Sequence, residues 1–420
     1  MITAQLESAS SIKQKVYQNM FQHLGMGDHA NVANLILTKI GNNLKFWPDE
    51  NEIISATLEL FLDLATGYSS SKLLISLDTV KFLVRHHTEE YFSFLAVPFN
   101  AKHRTTFHAI ITRLLLSPSG EEKLELTLEQ FLEPTMATLI QLGKLSPSEL
   151  RNEAIRRPLI GILRDLRGIV SSLHNRKAYC EMFDIIHSGR HLQFFAKVAD
   201  LWYDQSDVIV SLLRFMTEFT QNKANRVNFD HSSANGILLF RCTSDVVCAY
   251  GRRLLFSQAN VNVSDIYKQR YKCISLALNV MNSTLGGGYV CFGVFSLYND
   301  PVLDSALDVS LQMILSIPLE DVIAYPKLSK SYFSFVELLF RNHLSNVLSL
   351  DNSILLRLMN AVHEGLQSNE ATLSSLCGNA IDHFATFAFE NAGKDKPDVQ
   401  NLGKVREIFD LLINVLLRLF

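Results

Sequence analysis

The chain has 420 residues, 48% of them apolar and 19% charged, with 39 Lys and Arg against 42 Asp and Glu. That apolar content excludes a chain disordered from end to end. The 19 Gly and 10 Pro exclude collagen-like or linker-like sequence, and a net charge of −3 excludes global steering toward nucleic acid or anionic membrane. At roughly 100–200 residues per compact domain the length predicts two to four domains, unless the chain grows by stacking repeats.

The charge is unevenly placed. Residues 1–150 hold 12 cations and 16 anions, residues 151–300 hold 18 and 12, and residues 301–420 hold 9 and 14. A basic middle between acidic ends reads as ordinary solvated faces, or as surfaces patterned by sign. Six cysteines, at 180, 242, 248, 273, 291 and 377, form no C-x-x-C pair and sit in apolar contexts such as Val290-Cys291-Phe292. Buried thiols in a reducing compartment are expected. The start, Met1-Ile2-Thr3-Ala4-Gln5-Leu6-Glu7, lacks the basic and apolar regions of a signal peptide. No stretch of about 18 apolar residues predicts a membrane span. The sequons at Asn262 and Asn282 are read as chance matches.

Taken in chain order, the elements are helices between short breaks. Breakers fall at Gly25-Met26-Gly27-Asp28 and Ser117-Pro118-Ser119-Gly120. Ser146-Pro147-Ser148-Glu149 predicts a capping box with Pro at the first helical position. Ile209, Leu212, Leu213, Met216 and Phe219 recur at i, i+3, i+4, i+7 and i+10, one face of a helix. Ile274, Leu278, Met281 and Leu285 predict another. Gly286-Gly287-Gly288 reads as a helix–helix turn, and Asp300-Pro301 as a helix start like that at Ser146. After breaks at Ile317-Pro318 and Tyr325-Pro326, Leu355, Leu358, Met359, Val362 and Leu366 mark a last clear helical face. Period-2 runs of Val, Ile and Thr are scarce, so almost no sheet is expected. Residues 408–420 are apolar on nearly all sides and stop without a cap, which predicts that residues 1–420 belong to a longer array.

The expected fold is all-α: an α-solenoid of antiparallel helix pairs, HEAT repeats in an armadillo-like superhelix, continuous over residues 1–420 with no independent second domain. A period of about 40–47 residues implies about nine or ten pairs. A globular helical enzyme stays open on this pattern alone.

A search for chemistry predicts no catalytic, cofactor-binding or metal-binding residue. Gly143-Lys144, Gly393-Lys394 and Gly403-Lys404 lack the upstream Gly of a phosphate loop. His86-His87-Thr88-Glu89-Glu90 lacks the H-E-x-x-H spacing and reads as a solvated helix end. There is no G-x-S-x-G elbow and no Asp-Asp pair. His363 and His383 read as packed or solvent-facing. Arg252-Arg253 and Lys268-Gln269-Arg270-Tyr271-Lys272 are dense basic clusters, but five charges on two segments do not make a phosphate track, so no nucleic acid is expected. Arg164, Asp165 and Arg167 stand out. The two arginines share a helical face, and the expected role is a polar ladder between neighbouring repeats, with direct partner contact as the alternative.

Several stretches resemble the exportin-7 family of nuclear transport receptors, which includes Ran-binding proteins 16 and 17. They are Gly67-Tyr68-Ser69-Ser70 leading to His86-His87-Thr88-Glu89-Glu90-Tyr91-Phe92-Ser93-Phe94-Leu95, then Arg164 to Ile169, then Leu201-Trp202-Tyr203. Others are Asn235-Gly236-Ile237-Leu238-Leu239-Phe240-Arg241, then Phe292-Gly293-Val294-Phe295 through Leu297-Tyr298, and Leu315-Ser316-Ile317-Pro318 through Tyr325-Pro326-Lys327-Leu328-Ser329. The resemblance runs from residue 11 or so to residue 390 or so, in the family's order. It departs from the family at Gly286-Gly287-Gly288 and over Asn391 to Pro397. It implies an importin-β-like receptor, not an enzyme, that binds protein cargo together with Ran-GTP, engages nuclear pore proteins and shuttles between nucleus and cytoplasm without inserting into a membrane. The family's chains are more than twice as long. The resemblance places this sequence in their middle-to-late part, without the amino-terminal region that supplies the principal Ran contact. A HEAT scaffold for a complex unrelated to transport is the alternative.

Overall fold

Apolar residues spaced at three and four stack along one side of a helix and must be buried against another element. The computed structural model describes residues 19, 23, 29–117, 126–188, 191–230, 232–257 and 265–391. Among them are twenty α-helices, short 3₁₀ turns, one π-helical turn and no strand. Ile209, Leu212, Leu213, Met216 and Phe219 are fully buried, as are Ile274, Leu278 and Met281. Leu355, Leu358, Met359 and Val362 are buried too. The chain divides into two compact units, Met1–Gln141 with Gly161–His174 and Leu142–Ile160 with Asn175–Phe420.

The described helices up to residue 171 are α1 (His29–Phe46), α2 (Asn51–Thr66), α3 (Tyr68–Ser76), α4 (Asp78–Arg85), α5 (Ala101–Leu115), α6 (Leu128–Lys144), α7 (Pro147–Leu150) and α8 (Glu153–Ser171). In the first unit α1 packs on α2 and α4, and α2 packs on α5. Buried side chains such as Leu37, Leu44, Phe61 and Phe107 fill the seams. Polar anchors recur at a near-constant sequence separation. Ser93 Oγ donates to the Lys45 carbonyl at 2.8 Å, Asn100 Nδ2 to the Pro48 carbonyl at 2.7 Å, and His103 Nε2 meets Asn51 Oδ1 at 3.1 Å. The first-unit part of α8 lies hard against α5. A Cβ on Gly168 would drive into the Thr105 carbonyl, and one on Gly161 would meet the Arg104 guanidinium carbon at 3.1 Å.

The second unit carries α9 (Arg176–Ser188), α10 (His191–Leu201), α11 (Ser206–Thr220), α12 (Asn235–Phe256), α13 (Lys272–Leu285), α14 (Gly293–Leu297), α15 (Val302–Leu315), α16 (Leu319–Ala324), α17 (Pro326–Asn342), α18 (Leu344–Leu348), α19 (Asn352–Leu366) and α20 (Ala371–Asn391). Its packing is solenoid-like. One row runs α10, α12, α15, and the other runs α11, α13, α17, α20, each helix touching the next in its row. Bonds again join residues about one repeat apart. Trp202 Nε1 donates to the Leu150 carbonyl at 3.2 Å, Arg253 grips Asp200 at 2.6 and 3.0 Å, and the Tyr271 hydroxyl donates to Asp321 at 2.6 Å. Arg151 lies 4.3 Å over the fully buried Trp202 ring and also binds Asp204.

Several local expectations need amendment. The capping box at Ser146 is present, with the Glu149 amide donating to Ser146 Oγ and the Ser146 amide donating back to Glu149. It opens only the single turn α7, since α8 starts afresh at Glu153. Asp300-Pro301 does not repeat it: Pro301 stands at the N-cap, and Asp300 Oδ1 accepts from the Val302 amide at 3.2 Å. Cys242, Cys248, Cys273 and Cys377 are buried and Cys180 half-buried, but Cys291 is exposed. The glycine turn after α13, with Gly288 at φ +72°, brings the Val290-Cys291 stretch to the surface. The breakers at 25–28 and 118–120, the sequon at Asn262, the phosphate-loop candidates after residue 391, the departure over 391–397 and the apolar stretch 408–420 fall wholly or mainly outside the described residues.

Candidate functional site

The three residues singled out from sequence lie on α8, in the first unit. Arg164 and Arg167 are half-buried and engaged with their surroundings, whereas Asp165 is buried. Asp165 meets α5 through a two-pronged ion pair. Arg104 Nε donates to Oδ1 at 2.8 Å and Nη2 donates to Oδ2. Arg104 Nη1 also donates to the Leu95 carbonyl at 2.6 Å and to Glu89. His108 Nδ1 faces both the Arg104 carbonyl at 3.0 Å and Asp165 Oδ1 at 3.1 Å, two acceptors, so that nitrogen carries the proton. Burial would raise the Asp165 carboxyl, but His108 and Arg104 overcome it and hold the group well below the usual carboxylate range.

His87 closes this cluster. It is buried rather than solvated, because α4 ends at Arg85 and the departing chain folds the ring inward. The ring stacks on Phe131 with centroids 4.2 Å apart, and Nδ1 lies 2.9 Å from the Val84 carbonyl. Burial, with His108 beside it, pulls its pKa down to about 4. The Arg104 and Asp165 charges are buried and matched, and Glu89 meets Arg104 from the exposed side. Its chemistry is that of a brace between helices.

The second unit presents the opposite arrangement, a cleft of about 1080 Å³ along α11, α13 and α17. Arg214 and Thr217 come from α11, Lys272, Ser275, Asn279 and Asn282 from α13, and Lys327, Lys330, Ser331 and Ser334 from α17. The π-helical turn Tyr267–Tyr271 adds Tyr267 and Lys268, and the loop after α11 adds Gln221, Asn222 and Lys223. Among the described residues no carboxylate lines the cleft, and Leu276 is its one aliphatic side chain.

The walls are held from beneath. Arg226, 1% exposed, donates to the Gln221 carbonyl at 3.0 Å and lies against Glu218, pinning the loop that carries Lys223. Ala224 and Asn225 take left-handed φ values of 52° and 56° in that loop. Asn222 accepts from the Val227 amide and donates to the Gly287 carbonyl, both at 2.8 Å. Ser275 Oγ reaches the Lys327 carbonyl at 3.1 Å and accepts from Ser331 Oγ at 2.8 Å, tying α13 to α17. Lys223 pairs with Glu218 and Lys268 with Asp265. Among the described residues no carboxylate pairs with Arg214, Lys272, Lys327 or Lys330.

The sequence clusters thus separate. Lys268 and Lys272, four apart on one face, reach the cleft, while Arg270 turns toward Ser316 and Arg253 binds Asp200. Arg214, Lys327 and Lys330 were missed, because they join these lysines only when three helices align. The spacing of Lys327 and Lys330 on α17 was the one local signal. His383, on α20, approaches Glu337 on α17 at 3.4 Å, and His363, on α19, lies 3.4 Å from Gln367 just past that helix's end, so both are half-buried side chains at helix surfaces.

Rows of paired helices with polar anchors between successive repeats define an α-solenoid protein. The family model for the exportin-7-like TPR domain matches residues 4–103. Human Ran-binding protein 17 is 36% identical over 386 residues, covering 91% of this chain and 35% of its own length. Exportin-7-B of Xenopus laevis is 34% identical over 386 residues, covering 90% and 35%. Exportin-7 of Dictyostelium discoideum is 33% identical over 413 residues, covering 96% and 40%. Along nine-tenths or more of its length the chain is similar to these members of the exportin-7 and Ran-binding protein 16 and 17 family, and it spans little more than a third of their length.

Proposed function

We propose that this chain is a segment of a nuclear export receptor, one that takes part in binding protein cargo and Ran-GTP, engages nuclear pore proteins and moves between nucleus and cytoplasm. The observation that carries the reading is the similarity to Ran-binding protein 17 and exportin-7 along nine-tenths of the chain. The stacked helices supply a mechanism. Each helix pair touches only its neighbours, so small rotations add along the row. Two partners that favour the same curvature raise each other's affinity, and the coupling is reciprocal. Arg164, Asp165 and Arg167 serve contacts between neighbouring helices rather than a partner, a reading supported by the burial of Asp165 against Arg104.

The test is retention of the chain on Ran locked in its GTP form against Ran-GDP, with full-length human Ran-binding protein 17 run beside it. Retention by the GTP form alone is expected, weaker than that of the full-length relative. Equal retention by both forms, or none while the full-length relative is held, sinks the reading and leaves a helical scaffold unrelated to transport.

A further inference from the structure

The geometry points to the α11–α13–α17 cleft as a docking site for an extended acidic segment of a partner protein. This deepens the transport reading by naming the chemistry of one partner, and its test contains no Ran, so the two can fail separately. Four cations, Arg214, Lys272, Lys327 and Lys330, line the cleft without a carboxylate partner among the described residues. Within a chain that carries more anions than cations, such a concentration focuses a positive potential into a recess. Ligand pockets of this size for small molecules are lined mostly by apolar and aromatic groups, and this one is not.

The lining selects among polyanions. Single-stranded nucleic acid is gripped by aromatic faces interleaved with cations. The one aromatic among the described lining residues, Tyr267, is already stacked on Tyr325 with centroids 4.9 Å apart. A polypeptide offers what the walls can use. Its carboxylates meet the lysines, and its backbone amides and carbonyls meet the polar side chains of the walls, such as Asn279 and Ser334. Three helices in register make the recess a trough rather than a point, which suits an extended chain bearing several carboxylates.

The experiment is fluorescence anisotropy of the full chain with a labelled glutamate- and serine-rich peptide, and with an oligouridylate of equal charge. Saturable peptide binding that weakens as salt rises is expected. Lys327→Glu with Lys330→Glu should weaken it by about tenfold. Arg252→Glu with Lys177→Glu, on exposed residues of the same unit outside the cleft, should leave it unchanged. Circular dichroism shows that each variant is folded, and Lys272→Ala is the second cleft variant if the first is not. Absence of saturable peptide binding, an equal loss from the pair outside the cleft, or tighter binding of the oligouridylate overturns the proposal.

Discussion

Arg104 in the first unit and Lys330 in the second are both cations on helices of a repeat, yet their surroundings are opposite. Arg104 is buried and meets Asp165, Glu89 and the Leu95 carbonyl. Lys330 is exposed and lines a cleft to which no described residue contributes a carboxylate. A buried charge survives only if its hydrogen-bonding capacity is matched, so the first arrangement fixes helices in place. An unmatched charge stays solvated and available, so the second can be spent on another molecule.

The largest break in this contrast comes from Asp165→Ala. It leaves the Arg104 guanidinium buried without its main partner, at a cost of about 3–5 kcal/mol. Denaturant unfolding, with amide exchange followed on α5 and α8, reads the loss. A change under about 1 kcal/mol would mean that the cluster does not brace the first unit.

Acid comes next. The folded pKa of His87, about 4, lies below its unfolded value near 6.5. Between those values the unfolded chain binds the extra proton, so stability is complete above the upper value and falls as pH drops toward the lower. The loss approaches about 3 kcal/mol. Asp165 adds to the loss only toward the lower end of that window and below it, where the unfolded carboxyl, near 3.8, takes up a proton while the folded one stays ionised. Melting temperatures across the window should therefore fall with acid in the native chain and stay flatter in His87→Phe, which keeps the stack on Phe131.

The smallest effect sharpens the other side. Lys327→Glu with Lys330→Glu removes no buried contact, so its melting midpoint should match that of the native chain. A clear loss of stability would show that these lysines serve the fold and not a partner.

Helices and their buried faces were legible because periodicity is local. Ile209 through Phe219 and Leu355 through Val362 needed no information beyond their own spacing. His87 was not legible, since a polar run after a helix reads as solvated until Phe131, 44 residues on, comes to cover it. Asp165 stood out, but its partner did not, because Arg104 lies 61 residues away with no local cue. Cys291 failed in the other direction: apolar neighbours suggest burial, and a glycine turn exposed it.

Amino-acid order alone determined that this chain is helical, where its helices bury themselves, and which family it resembles, since these depend on spacing within a few turns and on long ordered stretches of residues. Tertiary structure decided which charges are matched and which are left for others. Coulombic pairing and desolvation act through space, and they join residues 50 or 60 positions apart that no local pattern connects.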